Sequence, residues 1–189
     1  MSIIYPSNLN NKVDGSFGGS TVTQSYGFLS ESKKNDIIIF SAVALHNTDY
    51  NFKKLYDLIL QKVKEGVILL LEVPQNWCTK KFPDGCSTKG TFELKPDNVN
   101  YLKTLLTYPN CVPLYTTKYF SIHLKCCDWI STDLNNPQAA IYFGSSNMYT
   151  SHHDEVGMYV TGDYTKDNLI LQAVISRSLI IDDYAGMLT

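Results

Sequence analysis

Apolar residues follow two rhythms along this chain. DIIIFSAVAL (36–45) and VILLLEV (67–73) are unbroken apolar runs, the pattern of strands buried on both faces. Between them, NFKKLYDLILQKVKEG (51–66) sets Phe52, Leu55, Leu58, Ile59 and Val63 at helical spacing, and Gly66 stands where a helix would stop. Strand, helix and strand in this order make a βαβ unit, which predicts an α/β fold with a parallel sheet between helices.

The remaining pattern extends that plan. FLSESKK (28–34) reads as a helix ahead of the first strand, VNYLKTLL (99–106) as a short helix, and CVPLYTT (111–117) as another apolar strand. YFSIHLKCCDWI (119–130) has strand composition. The turn formers STDLNNPQ (131–138) follow it, and AAIYFGSSN (139–147) returns as the partner strand of a hairpin. Residues 74–98, rich in Pro, Gly and charge, read as a long irregular loop, and the polar stretch 1–22 as an N-terminal extension. With 189 residues, 44% of them apolar, the chain suits a single domain over 1–189.

Charge narrows the candidate chemistry. With 16 basic and 18 acidic residues the net charge is −2, so no whole-chain positive field gathers nucleic acid or anionic lipid, and any polyanion must be held locally. The five cysteines, Cys78, Cys86, Cys111, Cys126 and Cys127, have no zinc-finger spacing, and an adjacent pair does not easily close on itself. Free thiols are expected, with a bridge between Cys78 and Cys86 as the alternative. MSIIYPSNLNN lacks the pattern of a signal peptide, and no apolar run approaches the roughly 20 residues of a membrane span, so a soluble cytoplasmic protein is expected.

Candidate site residues cluster at the hairpin. Because side chains alternate along a strand, His123 and Lys125 point to the same side, and Ser145 and Asn147 share a face near the end of the returning strand. A histidine, a lysine, a hydroxyl and an amide meeting at one spot offer a nucleophile or proton carrier, a fixed positive charge and neutral donors for phosphate oxygens. In the long loop Lys80, Lys81 and Lys89, with Trp77 and Phe82 between them, suit a phosphate chain and a stacked base; the plainer reading is a solvated loop. His46 ends a buried strand and either lines the same cleft or is an ordinary edge histidine. His152 and His153 beside Asp154 read as exposed polar residues, since neighbours on an extended chain point apart.

H-x-K at 123–125 followed by G-S-x-N at 144–147 resembles the HKD signature of the phospholipase D superfamily. HHDEVGMYV (152–160) is similar to the strand that follows the signature there, and the βαβ unit fits the family's opening, so the resemblance covers most of 24–180. It implies a phospholipase D-like α/β sandwich with a mixed, mostly parallel sheet flanked by helices. It also implies phosphodiester cleavage without metal or cofactor. His123 would attack phosphorus, Lys125 and Asn147 would stabilise the phosphoryl oxygens with help from Ser145, and Glu155, or less well Asp154, would hold an imidazole tautomer. The chemistry uses two signatures and this chain has one, which implies a homodimer across the site or a partner half carrying the second histidine.

The pattern departs from the family at one place. The family's aspartate five residues after the lysine is here Ile130. Asp128 faces away from His123 and Lys125 by alternation, leaving Asp133, after a bulge, as the expected substitute. Small one-motif members are mostly nucleases, and with so little positive charge single strands or short oligonucleotides are the expected substrate. A phospholipid-directed enzyme, using Trp77, Phe82, Tyr115 and Tyr119 as an apolar rim, and an inactive scaffold of the same fold are the alternatives.

Overall fold

A computed structural model describes residues 2–4, 25–41, 50–74, 96–116, 126–144 and 157–186. The strands are β1 (Ser2–Ile4), β2 (Ile37–Ser41), β3 (Ile68–Pro74), β4 (Cys111–Thr116), β5 (Cys126–Ile130), β6 (Gln138–Gly144) and β7 (Gly157–Asp163). The helices are α1 (25–30), α2 (Tyr50–Lys64), α3 (Pro96–Leu106) and α4 (Asn168–Gly186). Together the strands form a seven-stranded sheet in the order β1-β7-β6-β5-β2-β3-β4.

The apolar runs become central strands because both faces of the sheet are covered. Ile38, Phe40, Leu69 and Leu71 pack under α1, α2 and α3 through Leu29, Leu55, Ile59, Val63, Leu102 and Leu105. On the other face Ile39, Ile130, Ile141 and Val160 pack under Ile170 and Ala173 of α4. Each such large apolar side chain contributes about 1.5–3 kcal/mol by leaving water.

Three expectations are corrected here. The parallel register is confined to β2-β3-β4, while β1–β7, β7–β6, β6–β5 and β5–β2 are antiparallel. The sheet is therefore mixed rather than mostly parallel, because its second half is built from hairpin-type returns instead of helical crossovers. The early helix spans 25–30, and Glu31 to Asp36 form turns leading into β2. Ser2–Ile4, expected within an extension, instead adds an edge strand against Tyr159–Thr161.

One edge of the sheet is closed by tight, well-bonded connections at 31–36, 65–67, 107–110, 131–137 and 164–167. Helix α2 ends as its sequence predicts. The Val67 N–H donates to Lys62 C=O at 3.0 Å, the Gly66 N–H donates to Val63 C=O at 3.1 Å, and Gly66 has φ +94°. Asp36, almost fully buried, binds this edge together: Oδ2 accepts from Lys33 N–H (2.9 Å) and Trp129 Nε1 (3.1 Å), and Oδ1 accepts from Thr132 N–H (3.0 Å).

A Cβ added at Gly66 would lie 3.0 Å from Lys34 Cγ as well as occupying a left-handed backbone position. Gly66→Ala is expected to lower stability by about 1–2 kcal/mol, the cost of that conformation for an L residue. Equilibrium urea unfolding checks this, and an unchanged midpoint would show that the turn relaxes freely.

Candidate active site at one edge of the sheet

The chain runs out of the described structure at a single edge. Ser41 pairs with Glu72 and with Cys126, Pro74 with Thr116, Gly144 with Gly157, and Ile4 with Tyr159. These residues lie at the edge opposite the tight turns. From it leave the five internal segments 5–24, 42–49, 75–95, 117–125 and 145–156, all outside the described residues.

Nine sequence-predicted site residues fall on those segments: His46 on 42–49, Trp77, Lys80 and Lys81 on 75–95, His123 and Lys125 on 117–125, and Ser145, Asn147 and Glu155 on 145–156. Lys125 directly precedes β5 and Ser145 directly follows β6. These strands are neighbours, and neighbouring strands are roughly 5 Å apart. Asp133 lies elsewhere. It sits exposed in the 131–137 hairpin, at the edge away from the signature, where Oδ1 accepts from Asn135 N–H at 2.9 Å and closes a local turn. The residues it was expected to support lie outside the described residues.

Three residues after Lys125 stands Asp128. Fully buried on β5, it meets Arg177 of α4 with Oδ2 to Nε at 2.6 Å, and Arg177 itself is only 3% exposed. Backbone pairing between β5 and β6 is restricted to Trp129↔Ala140 and Ile130↔Ala139. Beyond those pairs, side chains take over the ladder. Asp128 Oδ1 accepts from Tyr142 N–H at 2.8 Å, Arg177 Nη2 donates to Tyr142 C=O at 2.7 Å, and Tyr159 Oη donates to Cys127 C=O at 3.0 Å. The Phe143 ring lies 5.6 Å from the guanidinium and shields it.

Sequence reasoning missed this pair. The signal was present as an arginine amid NLILQAVISRSLII, a stretch with no other charge. A lone cation in an apolar helix calls for a buried anion.

The cysteines agree with the expected chemistry where they are described. Cys111, Cys126 and Cys127 are free and buried. Burial pushes the Cys111 thiol up to about 11 and holds the Cys127 thiol still higher, which disfavours the thiolate at both. Cys78 and Cys86 lie outside the described residues. Among the described residues no helix is long and apolar enough to cross a membrane.

No family model matches the chain, and no curated protein matches it. Among solved structures, the polyphosphate kinase from Porphyromonas gingivalis is similar over 96% of this chain and 26% of its own length, at 10% identity and a TM-score of 0.49. The chain thus spans about a quarter of that protein. No family is assigned on this likeness.

Burial pushes the Asp128 carboxyl up to about 6, opposed by the Arg177 charge and the Tyr142 N–H. A carboxyl whose folded-state affinity for a proton exceeds its unfolded one contributes stability that is full below about pH 4. That contribution is lost as pH rises through about 6. The stability of wild type relative to Asp128→Asn is therefore expected to fall between those limits. Urea titrations at several pH values measure it; a flat difference would mean that the carboxylate is ionised throughout.

Proposed function

We propose that this chain is a metal-independent phosphodiesterase acting through a covalent histidine intermediate, with single-stranded nucleic acid or short oligonucleotides as its substrate. The observation that carries the proposal is topological. Every segment bearing a residue of the H-x-K and G-S-x-N signature, together with those bearing His46, Trp77, Lys80 and Lys81, starts from one edge of the sheet. That edge holds the carboxyl ends of the parallel strands β2, β3 and β4, where α/β sheets present their ligand sites.

In this mechanism an imidazole nitrogen of His123 attacks phosphorus. The bond from phosphorus to the leaving oxygen breaks, and that oxygen takes a proton from the histidine of a second copy. The same second histidine, now neutral, takes a proton from water, whose oxygen attacks phosphorus and breaks the phosphorus–nitrogen bond. Lys125 and Asn147 stabilise the phosphoryl oxygens, Ser145 assists, and Glu155 accepts a hydrogen bond from an imidazole. A homodimer with the two His123 residues facing one phosphate supplies both histidines.

The described strands set one requirement on this geometry. Odd-numbered residues of β5, Cys127 and Trp129, pack toward α1–α3, whereas odd-numbered residues of β6, Ala139 and Ile141, pack toward α4. Convergence of His123 and Lys125 with Ser145 and Asn147 therefore requires a change of parity on one limb between the described strand and the signature.

Cleavage of single-stranded oligonucleotides by the wild-type protein is expected to persist in EDTA. His123→Ala should abolish it, and Lys125→Ala should lower it by about 10²–10³-fold through lost charge stabilisation. Equal cleavage by wild type and His123→Ala would remove the proposal.

Mixing subunits tests the shared site separately. With excess His123→Ala subunits and verified exchange, activity should fall as the square of the wild-type fraction, because each mixed dimer lacks either attack or protonation. A linear fall would mean that each chain works alone.

A further inference from the structure

We infer that the buried Asp128–Arg177 pair is a positioning device for this site, fixing how β5 and β6 are held at the ends from which the two limbs of the signature leave. The inference rests on the function proposed above and adds to it residues that touch no substrate.

The geometry has a direction. At the tight edge β5 and β6 bond backbone to backbone through Trp129↔Ala140 and Ile130↔Ala139. Toward the other edge both backbone groups of Tyr142 turn instead to side chains, its N–H to Asp128 and its C=O to Arg177. A strand pair can satisfy those groups by continuing its own ladder, so an inserted carboxylate and guanidinium impose a spacing that the ladder alone would not. Asp128 is three residues after Lys125, and Tyr142 is three residues before Ser145. The pair therefore acts at the root of both limbs.

A purely structural task at a buried location does not need charge. Well-packed apolar residues of similar volume often match or exceed the stability of a buried ion pair. The planar guanidinium, by contrast, offers several donors in a fixed fork, and here it serves an acidic side chain on β5 and a carbonyl on β6 at once. Arg177 thereby ties α4 to both strands, and the Phe143 ring lies over its guanidinium.

The experiment compares wild type, the double variant Asp128→Leu/Arg177→Met, and Arg177→Lys, reading the unfolding midpoint, kcat and KM for an oligonucleotide that the wild type cleaves. The double variant is expected to unfold cooperatively near the wild-type midpoint. Its kcat should be about tenfold to a hundredfold lower with KM nearly unchanged, the effect of misplacing catalytic groups by about an ångström. Arg177→Lys keeps the charge but loses the fork, and its kcat should lie between the two. A folded double variant with wild-type kcat would overturn the inference and leave the function standing. If the double variant does not fold, Arg177→Lys decides alone: wild-type kcat overturns the positioning role, and a selective loss of kcat supports it. Absence of any phosphodiester cleavage by wild type would remove both.

Discussion

A guanidinium and a carboxylate meet out of water between a helix and two strands, and the placing of those three elements is constrained by their contact. Removing two charges from solvent costs several kcal/mol per ion, and only close contact with further hydrogen bonds offsets it. Here Asp128 and Arg177 are 2.6 Å apart, and each also holds one backbone group of Tyr142. Breaking one partner would strand the other in a site lined by Phe143 and by β6. Helix α4 covers the face opposite α1–α3, and the pair joins that cover to β5. Tyr159 extends the same network from β7, donating to Cys127 C=O while its hydroxyl shares a hydrogen bond with Ser25 of α1. A polar seam thus crosses the sheet from one helical layer to the other.

The two edges of the sheet divide the work of the fold. At one, every connection is short and its backbone groups are satisfied locally: the Gly66 turn closes α2, Asp36 gathers Lys33, Trp129 and Thr132, and Asp133 and Asp163 close turns of their own. Such an edge leaves little freedom for the strands to slide. The segments carrying the candidate chemistry all start from the other edge, which is the arrangement in which reactive groups sit on connections while a rigid sheet sets where those connections begin.

What was legible in the sequence follows from where burial is symmetric. β2 and β3 are covered on both faces and read as unbroken apolar runs, and α2 has a regular apolar stripe with Gly66 at its end. The hairpin at 131–137 was legible because turn formers separate two strand-like segments. Helix α4 was not read. Leu169, Leu171 and Ile175 are substantially exposed while Arg177 is buried, which inverts the usual rule for which face is polar and hides the helical period. Alternation set Asp128 opposite His123 and Lys125, which lie outside the described residues; within β5, Asp128 lies on the α4 side and Cys127 and Trp129 on the other. Asp133 was favoured because it flanks the family position in sequence; the five residues of β5 lie between it and Lys125. Asp128 finds its partner some fifty residues along the chain, a distance over which local pattern carries no information.

Chain routing sets where along the edge the segments bearing the candidate residues begin. From β2 the chain moves through β3 to β4 on one side, then returns to β5, which pairs with β2 on the other. At the carboxyl end of β2 the connection toward α2 and β3 departs in one direction, and the chain arriving at β5 comes in beside it. Ser41 and Cys126 face each other there, with the His46 segment beginning at the first and Lys125 preceding the second. The next strand outward is β6, from whose end the Ser-x-Asn limb leaves. The Asp128–Arg177 pair bridges β5 and β6, so a charge pair that is costly to bury is located between the two strands from whose ends those segments leave.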